Sequence, residues 1–141
     1  MHYADTSFLA ALYLDIDRHH RTAVRFMSET APDILFTPFN RVELRNAIRQ
    51  RLYREQLQVS DAETIFTEID ADLREGFLVH RPINHTDVYR LADELSEKQP
   101  GQRTLDLLHV ASAIALKART FLTFDEHQTA LGIAAGLRVK P

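Results

Sequence analysis

Four acidic residues carry the chemistry open to this chain. Asp5 follows the short run His2-Tyr3-Ala4 and stands directly before Thr6, Ser7 and an apolar, helix-like stretch. Glu43 lies early in the helical segment after "DILFTP", Asp106 is in the first turn of "TLDLLHVASAIALKA", and Asp125 ends "TFLTF". In α/β sheets, ligands sit beyond the carboxyl ends of the strands. Each of these acids stands just past a strand-like run or in the first turn of a helix, so all four can meet at one sheet edge. Carboxylates gathered there repel: each pair 4 Å apart costs roughly 4 kcal/mol at an effective dielectric near 20. Protonation or a cation must relieve that cost. Hard oxygen donors without cysteine suit Mg²⁺ or Mn²⁺ over zinc. Waters kept by such an ion can attack a phosphodiester while the ion stabilises the departing oxygen. The residues therefore admit a metal-dependent phosphodiesterase.

Each acid alone has a plainer reading. Asp5-Thr6-Ser7 is an N-cap cluster. Asp106 suits a helix dipole. Asp125-Glu126 can be a polar loop, and Glu43 borders the apolar stripe Leu44, Ala47, Ile48 and Leu52. The equivalent placement of all four favours a site. With Asp5 turned to chemistry, capping is expected to fall to Thr6 or Ser7.

The elements that must position these acids alternate. A short strand at 2–5 leads to a helix from about Ser7 to Leu14, and "RHHRTAVRFMSET" is a second helix. "DILFTP" is a strand and "NRVELRNAIRQRLYREQ" a long helix. Ser60 and Glu63 have capping-box spacing and open a helix that runs to about Glu75, with Gly76 just past its end. "FLVHRPI" is a strand, "HTDVYRLADELSEKQ" a helix stopped by Pro100-Gly101, and 104–118 a helix. "TFLTF", "EHQTALGIAAG" and "LRV" close the chain as strand, helix and strand. Alternation of this kind predicts a mostly parallel α/β sheet covered by helices on both sides. Ten of the fourteen residues from Leu105 to Ala118 are apolar on every face, so that helix is buried on most sides. A carboxylate such as Asp106 near its start is costly unless something pairs with it.

At 141 residues the chain fits one domain, 1–141, with a core large enough to need no staples. A composition 45% hydrophobic and 26% charged is that of a soluble globular protein. The net charge of −3 gives no global pull toward nucleic acid, so any such contact must be a local basic patch. The absence of cysteine excludes disulfides, thiolate zinc sites and a cysteine nucleophile, and suits a reducing cytosol. No apolar run is long enough to span a membrane, and "MHYAD" lacks the features of a signal peptide.

The blocks "YADTSFL", "VELRNAI", "RTLDLLHVASAIAL" and "FLTFDEHQTALGIAAGLRV" resemble, in order and over essentially the whole chain, the signature blocks of PIN-domain ribonucleases. The nearest likeness is to VapC-type toxins of toxin–antitoxin pairs. That resemblance implies a three-layer α/β/α fold around a central, mostly parallel sheet of four to five strands. It implies that Asp5, Glu43, Asp106 and Asp125 are catalytic and bind one or two Mg²⁺ or Mn²⁺ ions. Thr6 and Thr123 match hydroxyl positions that support the site. RNA is the implied substrate, a cognate antitoxin and a homodimer are the implied protein partners, and the cytoplasm is the implied compartment. The chain departs from the pattern in its weakly apolar first strand, "HYA", and in the extra acid Glu126.

Other groups have two readings each. Arg41, Arg45, Arg49, Arg51 and Arg54 place five of fourteen arginines in one helix, opposed between 41 and 54 only by Glu43. Arg41, Arg45 and Arg49 share a face, either as a phosphate-contacting stripe or as a solvated or subunit-pairing face. Arg18, His19, His20, Arg21 and Arg25 form a second basic patch with the same two readings. His19-His20 is not expected to hold a metal. His109, one turn after Asp106, either hydrogen-bonds a metal-bound carboxylate or is a core histidine satisfied by backbone. Tyr3, Phe8, Phe26, Phe36, Phe39 and Phe66 read as core or interface. Arg103 can reach a scissile phosphate.

The leading reading is an endoribonuclease toxin in which metal-activated water hydrolyses RNA phosphodiesters. The alternative is a catalytically silent PIN-like module that binds RNA or protein. A phosphotransfer domain is disfavoured, because Ser7 stands where a second aspartate would be needed. No phosphate-cradling glycine motif supports a nucleotide site.

Overall fold

The computed structural model describes residues 1–141. The strands are β1 (His2–Ala4), β2 (Ile34–Phe36), β3 (Leu78–His80), β4 (Thr120–Leu122) and β5 (Val139–Lys140). The helices are α1 (Thr6–Tyr13), α2 (His20–Thr30), α3 (Pro38–Tyr53), α4 (Val59–Glu75), α5 (His85–Lys98), α6 (Thr104–Ala115) and α7 (Glu126–Ala134). All five strands are parallel, in the order β3-β2-β1-β4-β5. Parallel neighbours need crossovers, which the helices supply.

Side-chain alternation along each strand builds two cores. Ala4, Ile34, Phe36, Leu78 and Leu122 pack under α1 to α4. Tyr3, Leu35 and Phe121 face the other way, toward α5, α6 and α7. The result is the expected three-layer α/β/α sandwich, with a sheet that is wholly parallel. The register pairs Tyr3 with both Leu35 and Phe121, so β1 is the central strand and "HYA" needs only three residues to fill its place. α7 packs tightly on this sheet: a Cβ on Gly132 would lie 3.0 Å from Val139 Cγ2.

The chain leaves β1 toward β2 and later enters β4 on the other side of β1. The gap beyond the carboxyl ends of β1 and β4 is therefore the topological switch point, where open α/β sheets bind ligands. The N–H of Asp5 still bonds Leu122 O at 3.0 Å, at the last rung of the ladder.

Helix boundaries differ from the sequence expectation at several ends: α2 begins at His20 and not Arg18, α3 at Pro38 and not Asn40, and α6 ends at Ala115 and not Ala118. α4 begins at Val59, and Asp61 accepts the Gln58 N–H at 3.1 Å. Ser60 and Glu63 lie inside the helix. The spacing occurs twice, two residues apart, and the upstream copy caps the helix. Its far end agrees with expectation: Gly76 closes α4 at φ +86°, a left-handed conformation that favours glycine.

Candidate active site

Asp5 caps α1 itself, contrary to the expectation that Thr6 or Ser7 would. Its Oδ1 accepts the Phe8 N–H at 2.9 Å and the Ser7 hydroxyl at 2.7 Å, and its Oδ2 accepts the Thr123 hydroxyl at 2.6 Å. Thr6 and Ser7 are freed for other contacts because the aspartate reaches back over the helix start. Asp5 is 1% exposed. Burial raises its pKa, against the pull of His109 and of the three donors.

Asp125 caps α7 in the same way, accepting the N–H groups of His127 at 2.8 Å and Gln128 at 3.0 Å. Thr123 links the two capping acids: it donates to Asp5 and accepts the Asp125 N–H at 3.0 Å. Burial pushes the Asp125 carboxyl up, but the Gln128 N–H, Arg103 and the His127 N–H outweigh it and hold its pKa below the ordinary value.

Glu43 rises from the second turn of α3. Asn40, Thr37 and Pro38 fix that helix start: Asn40 donates to Ala4 O at 2.9 Å and accepts the Thr37 N–H and hydroxyl. Oε2 of Glu43 accepts the Thr6 hydroxyl at 2.6 Å and pairs with Nε2 of His109. Burial raises the Glu43 pKa, but His109 and Thr6 overcome it and leave the net shift downward.

His109 is buried without a backbone partner for its ring. Its Nδ1 meets the Tyr3 hydroxyl at 2.9 Å, and Nε2 faces Glu43 and, at 3.3 Å, Thr6. Burial keeps the Tyr3 phenol protonated by raising its pKa. The phenol therefore donates to Nδ1, which leaves the Nε2 hydrogen for Glu43.

Asp106, 7% exposed, sits in the first turn of α6. Arg103 Nε reaches it at 2.7 Å, and Nη2 of the same guanidinium reaches Asp125 at 3.1 Å. Arg103 is thus the cation between two of the acids.

Asp5, Glu43, Asp106 and Asp125 all line one cavity of about 310 Å³, together with Thr6, Ser7, Arg103, His109 and Gln128. Their oxygen donors fit a hard divalent ion. In the geometry seen, no three His, Asp or Glu side chains stand close enough together to hold one. Positive charge is instead supplied by Arg103. Gln128 adds a buried side-chain carbonyl without a hydrogen-bond partner.

Arg41, Arg45 and Arg49 do not line this cavity. Arg41 and Arg45 approach Asp70 at 3.6 and 3.8 Å, and Arg45 and Arg49 lie over the Phe66 ring at 4.3 and 5.3 Å. The basic stripe forms the contact of α3 with α4 through Asp70 and the Phe66 ring. Sequence reading missed Tyr3, Ser7, Asn40 and Gln128 as supports of the site. Gln128 alone carried a local signal, a glutamine three residues after a capping aspartate.

The family model described as PIN domain matches residues 3–133. No curated protein matches the chain. Among solved structures, the chain is similar to VapC20 of Mycobacterium tuberculosis, a toxin described as cleaving the sarcin–ricin loop. The TM-score is 0.71 at 20% identity, over 94% of this chain and 95% of that one. It is similar to FitAcB from Neisseria gonorrhoeae with a TM-score of 0.71 at 17% identity, over 100% and 97%. It is also similar to VapBC2 from Rickettsia felis, bound to a DNA fragment from their promoter, with a TM-score of 0.65 at 16% identity, over 99% and 98%. These likenesses agree with the α/β/α sandwich and its parallel sheet, and the family match spans nearly all of it: the chain belongs to the PIN domain family.

Proposed function

We propose that the chain is a Mg²⁺- or Mn²⁺-dependent endoribonuclease that serves as the toxin of a toxin–antitoxin pair. One observation carries this reading. Four carboxylates from four separate segments line a single cavity at the switch point of the sheet. Asp5, Asp106, Asp125 and Glu43 are the residues that would hold the ion. When bound, it supplies an activated water and neutralises charge on the phosphoryl oxygens.

The chain's own residues do the rest. Thr123 fixes Asp5 and Asp125 relative to one another. His109 and Thr6 hold Glu43 ionised through Oε2. Its Oε1 carries no protein donor and takes the proton of the attacking water. Arg103, at the mouth and 64% exposed, meets the phosphate as the strand enters.

RNA as substrate is supported by membership of the PIN domain family and by the fold likeness to a toxin described as cleaving the sarcin–ricin loop. A cognate antitoxin and a second copy of the chain are the protein partners, and the cytoplasm is the place of action. No helix is long and apolar enough to cross a membrane.

The test is cleavage of single-stranded RNA by the purified chain with Mg²⁺ or Mn²⁺. Full activity in excess EDTA would refute the metal role. One observation favours the silent-module reading: every acid of the quartet already has protein donors. A calorimetric titration separates the two, since a silent module binds neither ion.

A further inference from the structure

We propose that the cavity beside the acids is a subsite for one nucleotide of single-stranded RNA, its base stacked on His19 and its phosphate held by Arg18 and Arg51. This rests on the ribonuclease reading above. The cavity measures about 550 Å³, within the range of small-ligand sites. It shares Thr6, Ser7 and Asp125 with the catalytic cavity, so a strand leaving the acids passes directly into it.

Three rings lead from the core to this cavity. Phe8, fully buried, stacks on Phe124 at 5.5 Å and 13°. Phe124 stacks on His19 at 4.4 Å and 5°. The series ends on the partly buried imidazole, which lines the cavity. A base laid on that ring continues the stack, which is how unpaired bases are held without sequence readout. The platform is fixed in place. Asp17 accepts the His19 N–H at 2.8 Å, and Arg18 Nε donates to His19 Nε2 at 3.0 Å. The Phe124 N–H is tied to Ser7, which also bonds Asp5.

The two arginines of this cavity have no carboxylate partner. Arg41, Arg45 and Arg103 all have carboxylate partners. Arg18 and Arg51 form no ion pair and bond only His19 and Gln56. Their charge is available for a phosphate. Of the acids here, Asp125 belongs also to the catalytic cavity, Glu126 is its neighbour in sequence, and Asp17 is engaged by the His19 backbone. Duplex RNA keeps its bases stacked inside the helix and cannot use the ring.

The experiment measures fluorescence anisotropy of a labelled single-stranded RNA octamer with Asp5→Asn protein, which should bind without cutting. In that background His19→Leu should weaken binding about tenfold, and His19→Phe should restore it. Arg51→Gln should weaken binding and lower the salt slope by about 0.7. Unchanged binding in His19→Leu and Arg51→Gln would overturn the subsite, as would equal affinity for duplex, while cleavage by the unaltered chain would leave the ribonuclease reading standing. An octamer neither bound nor cut, with thermal melting intact, would overturn both.

Discussion

The hydroxyl of Thr123 lies 2.6 Å from Oδ2 of Asp5, although 118 residues separate them in sequence. The Thr123 hydroxyl oxygen also accepts the Asp125 N–H. One buried side chain thus holds the ends of β1 and β4 together and sets two acids of the site. Thr123→Val keeps the shape and removes both bonds. It should destabilise the fold by about 1–3 kcal/mol, since buried Asp5 loses a donor. Urea denaturation measures this, and a change within error would show that Thr123 is not the link.

Tyr3→Phe removes the hydroxyl that fixes the His109 tautomer. Catalytic turnover should fall several-fold while affinity for RNA stays unchanged, because His109 acts through Glu43 and not on the strand. A matched loss of binding and turnover would contradict this chain of contacts.

Stability should depend on pH through Glu43. Its pKa is lowered on folding, burial notwithstanding, by His109 and Thr6. Its contribution is therefore complete above the ordinary value of 4.5 and is lost as pH falls through the lower folded value. Asp125, also lowered, acts in the same direction, and Asp5, raised, acts in the opposite one. In EDTA the unaltered chain should melt above Glu43→Gln at pH 6, and the gap should close as pH drops below 4.5. A gap constant with pH would contradict an ionised Glu43.

Arg103 and a divalent ion compete for Asp106 and Asp125. Arg103→Gln should bind Mn²⁺ about tenfold more tightly in the absence of RNA, since an opposite charge a few ångströms away shifts such equilibria by a unit or more. It should also cut RNA more slowly. Calorimetry checks the first part, and weaker Mn²⁺ binding would contradict the competition.

Much of this was legible in the sequence. The alternation of elements announced the parallel sheet, and the acids stood out because they follow strands or open helices. The rest depends on partners far apart in sequence. Arg41 and Arg45 read as a basic face because Asp70, which meets them, is a helix away. Tyr3 reads as core until its hydroxyl is seen on His109, 106 residues on. In sequence Asp5 reads as either a cap or a catalytic group, yet a carboxylate has two oxygens. One takes the helix N–H and the Ser7 hydroxyl, while the other faces Thr123 across the site. Duplicate capping spacings around Gln58 and Ser60 cannot be ranked without the helix itself.

A quartet that cuts RNA leaves new 5′ ends in the cell. The direct measurement is sequencing of RNA 5′ ends after brief expression of the unaltered chain and of Asp5→Asn, whose asparagine still caps α1. New ends at defined positions should appear with the first and be absent with the second. The same ends in both, at equal protein levels, would contradict cleavage by the quartet.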